Sequence, residues 1–322
     1  PEDPCEDDGT VGDEDLTNAV FANADCDGDG VTNGDEIDPD GNGIDDGNGT
    51  DWNNPCDYNA ADVTLTQGGP VWDAADCDGD GTPNGSDTDP NDPCVDADVT
   101  NVDLTDTTSA WALADCDGDG VTNLTELDPD GNGIDDGNGT DSEDPCSYDV
   151  TLQDYTTTSA AYQALDCDGD GVTNGDEIDP DGNGIDDGNG TDEQDPCDYD
   201  PILVTLTPTS AWLTADCDGD GTPNGSDTDP NDPCVDMDVT NVDLTDTTSA
   251  WYTADCDGDG TPNGMELDPD GNGINDGNGT DPEDPCEDDG TVGDEDLTNA
   301  VFANADCDGD GVTNGDEIDP DG

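Results

Sequence analysis

The charge of this chain constrains its folding more than any other feature. The chain carries 91 Asp and Glu residues and no Lys, Arg or His, so its formal net charge is −91. Only 28% of its residues are apolar, which leaves little surface to bury against the entropy of the chain. Such a composition is typical of disordered polyanions. A folded state therefore needs positive charge from outside the chain, and metal ions are the simplest source.

The missing basic residues also exclude several classes of function. Nucleophiles activated by histidine, lysine Schiff bases and arginine clamps on phosphate cannot be built. Nucleic-acid binding and polybasic docking to membranes both require Lys or Arg, so we expect neither partner. No apolar run approaches the roughly 18 residues of a membrane span, so we expect no membrane insertion. The sequence shows no signal peptide and begins without Met, which favours an internal piece of a longer protein.

The sequence is an array of repeats. Residues 1–41 and 282–322 are identical, so the period is 281 residues. Within it the pair Pro-Cys recurs in steps of 51, 38, 52, 51, 37 and 52 residues. Such arrays are built from units that mainly contact their neighbours. We predict long units at 1–55, 94–145, 146–196 and 234–285, short units at 56–93 and 197–233, and a partial long unit at 286–322.

Each unit begins with a segment between two cysteines, here called a module: 5–26, 56–77, 94–116, 146–167, 197–217, 234–256 and 286–307. In module 94–116, residues 99–105 favour a short strand, and residues 108–115 (TSAWALAD) predict a short helix opened by a Thr/Ser cap. Single strands are unstable alone, so we expect pairing within a unit, with a neighbouring unit or with another chain. Related strand-like runs lie at 63–67, 150–156 and 202–207.

A large aromatic side chain lies shortly before the acidic end of most modules. It is either a stacking platform for a ligand or the anchor of a small core. We favour the anchor, because a core this small needs its largest side chain at one fixed place. The residues concerned are Trp72, Trp111, Trp212 and Trp251, with Phe21 and Tyr162 in comparable places.

The acidic segment after each module has the ligand spacing of a calcium loop. In residues 25–36 (DCDGDGVTNGDE), acids occupy positions 1, 3, 5 and 12, and glycine at position 6 permits a sharp turn. Position 7 offers a backbone carbonyl, and position 9 is Asn. The predicted ligands of these seven first loops are Asp25, Asp27, Asp29, Val31, Asn33 and Glu36; Asp76, Asp78, Asp80, Asn84 and Asp87; Asp115, Asp117, Asp119, Asn123 and Glu126; Asp166, Asp168, Asp170, Asn174 and Glu177; Asp216, Asp218, Asp220, Asn224 and Asp227; Asp255, Asp257, Asp259, Asn263 and Glu266; and Asp306, Asp308, Asp310, Asn314 and Glu317.

Long units add a second loop that repeats the opening spacing but has no acid at position 12. Residues 38–51 contain the first of these loops, and another begins at Asp319 and is cut by the end of the sequence. The predicted ligands are Asp38, Asp40, Asn42, Ile44 and Asp46; Asp128, Asp130, Asn132 and Asp136; Asp179, Asp181, Asn183 and Asp187; and Asp268, Asp270, Asn272 and Asp276.

The ligand chemistry favours Ca²⁺ as the bound ion. An all-oxygen ligand set indicates a hard cation, and flexible sets of several carboxylates suit calcium better than magnesium. We expect about one ion per short unit and two per long unit. The alternative, a solvated acidic linker, does not account for a glycine at position 6 in every first loop.

The 14 cysteines predict disulfides and therefore an oxidising, extracellular setting. Cysteine ligation of a metal is the alternative, but no CxxC pair or histidine accompanies these residues. Pairing within a module closes a nearly constant 20–22-residue step, whereas pairing across the loops, as in Cys26–Cys56, spans very unequal lengths. A single repeated geometry favours Cys5–Cys26, Cys56–Cys77, Cys94–Cys116, Cys146–Cys167, Cys197–Cys217, Cys234–Cys256 and Cys286–Cys307.

A proline three residues after position 12, as at Pro39, prevents the second helix of an EF-hand. With chained DxDxDG runs and disulfides, the sequence instead resembles thrombospondin type 3 repeats, in the bacterial form found in giant surface adhesins of the Bacteroidetes (the SprB-type gliding adhesins). The resemblance covers almost the whole chain. It departs from the animal pattern in its strand-like inserts and in lacking Asn-Cys-Pro. It implies an extracellular, cell-surface shaft stiffened by calcium and exported by the type 9 route.

Together these features predict a repeat or solenoid-like elongated rod: small disulfide-closed modules with short strands and helical turns, joined by calcium loops, with little regular secondary structure. The expected function is the structural shaft of a surface adhesin or filament that supports adhesion or gliding. Further copies of the chain are candidate filament partners, and the adhesive target lies outside these residues. The alternative is an acidic calcium-storing or mineral-associated matrix protein. We do not expect an enzyme, because the carboxylate pairs are repeated without a pocket-forming domain.

Overall fold

The computed structural model describes residues 5, 16–287 and 296–318. Within these residues the only regular elements are helices of three to five residues, and no strand is present. Contacts divide the chain into two compact units, Pro1–Tyr162 and Gln163–Gly322. None of the described helices is long and apolar enough to cross a membrane. The prediction of little regular secondary structure is confirmed.

The helices occupy two recurrent places around the first loops. Anchor helices or 3₁₀ turns lie just before a loop: Ala19–Ala22, Trp72–Ala74, Ala110–Leu113, Ala160–Gln163, Trp212–Thr214, Ala250–Thr253 and Ala300–Asn304. Exit helices begin at position 9 of a loop: Asn33–Ile37, Asn123–Leu127, Asn174–Ile178, Asn263–Leu267 and Asn314–Ile318. One further 3₁₀ turn, Tyr155–Thr157, lies in a module. Every anchor therefore sits at the entrance of an acidic loop.

Side-chain caps fix where the short helices start and stop. Ser109 precedes the anchor helix Ala110–Leu113, and its hydroxyl accepts the Ala112 N–H at 3.1 Å. The exit helix Asn33–Ile37 starts after Thr32, whose hydroxyl accepts the Asp35 N–H. It ends before Asp38, one residue ahead of Pro39. The predicted capped helix is confirmed, and the exit helix stops where the proline requires.

The predicted strands are wrong for the described residues. Residues 99–105 form turns joined by irregular backbone, and 63–67, 150–156 and 202–207 are also irregular apart from short turns and the 3₁₀ turn that begins at Tyr155. In residues 99–105 the reason is local hydrogen bonding in Asp-x-Thr sequences: Asp98 Oδ1 accepts both the N–H (3.2 Å) and the hydroxyl (2.6 Å) of Thr100. Asp103 does the same for Thr105. Each such pair consumes the amide that a strand ladder would need.

The predicted disulfides close the modules. The structure contains the pairs Cys5–Cys26, Cys56–Cys77, Cys94–Cys116, Cys197–Cys217, Cys234–Cys256 and Cys286–Cys307. Cys146 and Cys167 are disulfide-bonded as well, and no described cysteine is free. Because the second cysteine of each module is also position 2 of a first loop, every disulfide ends inside an acidic loop.

The aromatic anchors are core residues, as predicted. Trp251 is fully buried and clusters with Leu244 and Leu267. Tyr162, also fully buried, packs edge-on against Tyr148 with ring centroids 5.7 Å apart. The other anchors, Phe21, Trp72, Trp111 and Trp212, are buried too. Each of these modules thus has a minimal core that includes its anchor ring, a few residues before the loop.

We predict that Trp251→Ala will unfold its module locally. Removing a fully buried aromatic side chain costs about 3–5 kcal/mol, and a repeat array unfolds locally rather than as one unit. Hydrogen exchange of peptides spanning 238–267 should accelerate strongly, whereas Val301→Ala, at a half-exposed helix position, should leave exchange there unchanged. Equal exchange in the two variants would contradict a core centred on Trp251.

Candidate metal centre

The first loops bring three carboxylates together at one point. In the loop 25–36, one oxygen from each of Asp25, Asp27 and Asp29 lies within 4.8 Å of the others. Seven such groups occur among the described residues, and five of them are Asp25–Asp27–Asp29, Asp76–Asp78–Asp80, Asp115–Asp117–Asp119, Asp166–Asp168–Asp170 and Asp216–Asp218–Asp220. The alternate acids at positions 1, 3 and 5 therefore converge as the spacing predicts.

Position 1 shapes the turn that produces this convergence. Asp25 Oδ1 accepts the Gly28 N–H at 2.8 Å, and its Oδ2 accepts the Gly30 N–H at 3.1 Å. Both glycines have positive φ, +88° and +90°, a conformation that costs glycine little. Asp29 Oδ1 accepts the Val31 N–H at 2.8 Å. Both oxygens of Asp25 therefore hold the backbone, whereas Asp29 uses one oxygen for the backbone and leaves the other for a ligand.

The remaining oxygens are buried and bare. Asp27 Oδ2, Asp29 Oδ2 and Glu36 Oε2 are inaccessible to solvent and accept no hydrogen bond. A buried carboxylate oxygen without a donor is costly, and this chain has no cationic side chain to relieve it. The residues fit a bound cation, which would take these oxygens as ligands. The same state is found at positions 3, 5 and 12 elsewhere: Asp78, Asp80, Asp87, Asp117, Asp119, Glu126, Asp168, Asp170, Glu177, Asp218, Asp220, Asp227, Asp257 and Glu266.

Burial changes the acidity of these carboxyls. Desolvation, with a further contribution from the neighbouring Asp29 charge, raises the pKa of Asp27 to about 7. Desolvation and the charges of Asp27 and Asp29 raise the pKa of Glu36 to about 8. The pKa of Glu126 and of Glu177 is raised to about 9 for the same reasons. Around neutral pH, the loops therefore hold protons that a cation would displace.

Position 12 is held by a threonine that the sequence analysis did not single out. The Thr50 hydroxyl donates to Glu36 Oε1 at 3.3 Å, and the Thr50 N–H donates to the Glu36 carbonyl at 3.0 Å. Gly49 leaves no room for a Cβ beside that carbonyl. The available signal was the Asn-Gly-Thr triplet that ends 14 residues after each such Glu; the equivalent pairs are Thr140–Glu126, Thr191–Glu177 and Thr280–Glu266.

The position-9 asparagines connect the loop to its disulfide. Asn33 Oδ1 accepts the Cys26 N–H at 3.2 Å, and its Nδ2 donates to Cys26 Sγ at 3.2 Å. Asn123 adds a bond from Nδ2 to the carbonyl of Trp111 at 3.1 Å. The same Cys–Asn pair recurs at Asn84, Asn174, Asn224, Asn263 and Asn314. These asparagines brace the site, and their role as ligands stays a prediction.

The second loops are organised around their first acid, which is buried at Asp128, Asp179 and Asp268, and their later predicted ligands are exposed. Asp38 accepts the N–H groups of Asn42 (3.0 Å) and Gly43 (2.6 Å). Partial desolvation raises the pKa of Asp38, but these bonds outweigh it and leave the pKa below its usual value. Asp40, Asn42, Ile44 and Asp46 are exposed. None of the buried bare oxygens among the described residues belongs to a second loop, so their ligand sets stay predictions.

The short units end their loops differently. Asp87 replaces Glu at position 12, and its Oδ2 is buried and bare. Asp96, from the next module, has positive φ (57°) and accepts both the N–H and the hydroxyl of Thr88. Thr82 donates its hydroxyl to the Asp96 carbonyl at 2.6 Å. The next module therefore closes the short loop, and Asp227 and Asp236 repeat this arrangement in unit Gln163–Gly322.

Comparison with protein-family models, with curated proteins and with solved structures found no match to this chain. Its function is therefore inferred from the chemistry of the loops.

We predict that Asp170→Asn will remove one bound divalent cation from the chain. Asp170 is fully buried and its Oδ2 is bare, and the affinity of such loops follows the number of charged ligands, so we expect the affected site to weaken by at least about tenfold. Asp176→Asn is the matched control, because Asp176 is exposed and accepts the Thr173 hydroxyl at 3.0 Å. Equilibrium dialysis should show one ion fewer in the first variant only.

We predict opposite effects of pH with and without cations. The folded-state pKa values of about 7 for Asp27 and about 8 for Glu36 lie above the unfolded values near 4. Between about pH 4 and pH 8 the chelated fold binds more protons than the unfolded chain, so its stability should fall as pH rises through this window.

Thermal unfolding, monitored by near-ultraviolet circular dichroism, tests whether stability falls as pH rises. In chelator the transition should lie at lower temperature at pH 8 than at pH 5. In millimolar calcium the difference should shrink or reverse, because the ion replaces the protons. A chelated fold that is more stable at pH 8 would show that the loop carboxylates are not buried as described.

Proposed function

We propose that this chain is a calcium-binding structural protein, the shaft of an extracellular surface adhesin or filament. The observation that carries the proposal is the repeated set of buried bare oxygens at positions 3, 5 and 12 of the first loops. This arrangement of oxygens fits a bound metal ion, and the chain has no cationic side chain that could take the ion's place.

Calcium suits the loops better than magnesium. Magnesium requires a compact octahedral shell and gives up its water reluctantly, whereas calcium accepts six to eight oxygens in a flexible arrangement. Four carboxylates and a backbone carbonyl offered by one loop match the calcium pattern. The oxidising setting indicated by the disulfides is also the setting in which calcium is present at millimolar concentration.

The modular construction favours a shaft over a calcium store. A store needs only capacity, whereas here each loop is tied to a disulfide through the Cys26–Asn33 pair and carries a module core beside it. These bonds and cores fix the shape of the loops and do not increase the number of ions that the chain can bind. Attachment to a cell surface, a role in gliding and assembly with further copies of the chain are parts of the proposal that rest on the repeat pattern and its resemblance.

Negative-stain imaging of the purified chain tests the proposal. In millimolar calcium we expect straight, evenly beaded rods, and after EGTA flexible coils, because the ions neutralise the repulsion of −91 charges. Magnesium at the same concentration is the control for non-specific screening. The width of the rods separates one chain from several.

Two results would contradict the shaft. Rods that persist in EGTA would mean that disulfides and module cores alone carry the shape. Coils in calcium, combined with measured binding of several ions per chain, would favour the calcium store.

A further inference from the structure

Each first loop from 25–36 to 255–266 is covered by residues of the module that follows it. In the loop 25–36, the Gly30 carbonyl accepts the N–H groups of Thr64 and Leu65, each at 2.9 Å. The Gly28 carbonyl accepts the Gly68 N–H, also at 2.9 Å. The donors belong to module 56–77, so the turn that gathers the ligands is bonded to the next repeat.

The same docking recurs within both compact units. In unit Pro1–Tyr162, Gly118 O accepts Ser159 N at 2.8 Å and Asp78 O accepts Trp111 N at 2.9 Å. In unit Gln163–Gly322, Gly169 O accepts Thr209 N at 2.8 Å. Further bonds of this kind join Asp80 to Asp98, Gly120 to Asp154, Gly171 to Thr205, Asp218 to Trp251, Asp220 to Asp238 and Gly258 to Asp296.

The turn glycines show how closely the module approaches. A Cβ on Gly28 would collide with the Gly68 carbonyl, and one on Gly118 would collide with the Ser159 side chain. The glycines at positions 4 and 6 are therefore required by the neighbouring module as well as by their positive φ. From the sequence alone, the position-6 glycine is explained by the turn, and the approach of the next module is not visible.

One loop provides an internal comparison. Loop 306–317 has the same sequence as loop 25–36, but among the described residues no module lies on it: Gly309 and Gly311 have open space where a Cβ would go. Asp308 and Asp310 are exposed, whereas the equivalent Asp27 and Asp29 are buried. Among the described residues, the ligands of this loop sequence are therefore buried where the residues after the loop cover it and exposed where none do.

We propose that each first loop and the module after it form one site, so that cation binding and docking of the next module are a single coupled equilibrium. Docking buries carboxylates, which is unfavourable while they are charged and bare, and the cation removes that cost. By reciprocity, a docked module must strengthen cation binding by the same factor. The loops are in this sense calcium-operated joints between repeats. The inference rests on the proposed calcium binding and adds its regulation.

The two identical loops supply the main test. Glu36→Gln and Glu317→Gln each remove the position-12 acid from one of them, and calcium-binding isotherms of the full chain give the affinity of the ion that each variant loses. We expect the ion lost in Glu36→Gln to bind at least tenfold more tightly than the ion lost in Glu317→Gln. Affinities that agree within twofold would contradict the proposed coupling between cation binding and module docking. If neither variant loses an ion, the calcium assignment itself fails, and the joint fails with it.

The threonine that holds Glu36 needs its own control, because no threonine bonds to Glu317 among the described residues. In Thr50→Val, the loop 25–36 should remain tighter than the loop 306–317. If the two loops have equal calcium affinities in that variant, the threonine explains the difference and the proposed coupling is wrong.

A second variant weakens docking without touching either loop's acids. Gln153, in module 146–167, donates from Nε2 to the Asp119 carbonyl at 2.7 Å. Gln153→Met should raise by three- to tenfold the calcium concentration at which peptide 115–126 gains protection from hydrogen exchange. Leu152→Met, at an exposed neighbouring side chain, is the matched control. An unchanged midpoint in Gln153→Met, with module 146–167 still folded by exchange, would also overturn the joint.

Discussion

The convergence of carboxylates in the first loops is the interaction on which the rest of this structure depends. Asp25, Asp27 and Asp29 meet within 4.8 Å, and burial makes their charge costly. A loop that binds calcium with a dissociation constant of about 0.1–1 mM gains about 0.4–1.4 kcal/mol at millimolar calcium. Over seven such loops this amounts to about 3–10 kcal/mol, a gain comparable to the stability of a small domain.

Two kinds of link, with different chemistry, alternate along the chain. Within a module, a disulfide such as Cys234–Cys256 and an aromatic core such as that of Trp251 hold the backbone, and neither uses a cation. Between modules, backbone N–H groups of the next module bond to carbonyls of the turn that holds the carboxylates. Asn33 joins the two systems, because it bonds the cysteine that ends one module at position 2 of the loop. Reductant and chelator should therefore act on different links, which makes the two contributions separable.

The sequence predicted what is local and missed what joins distant residues. The acids at positions 1, 3 and 5, the module disulfides and the aromatic anchors follow from short spacings, and the structure has them. The strand-like run at 99–105 became turns because Asp98 and Asp103 capture neighbouring amides, a competition that strand propensity ignores. The contacts of Thr50 with Glu36 and of Thr64 with Gly30 join residues 14 and 34 positions apart, and only the fold brings them together.

The absence of lysine and arginine leaves the buried carboxylates without a side chain that could neutralise them. One ammonium group placed near Asp27 and Glu36 would donate hydrogen bonds to their bare oxygens and lower their raised pKa values. A loop closed in that way would be folded at any calcium concentration, and its module would stay docked after chelation. Because no side chain of this protein can supply that charge, the buried carboxylates must bind either protons or an external cation. With the proposed calcium binding, a composition that first suggests disorder is thus the condition under which the fold would depend on the ion.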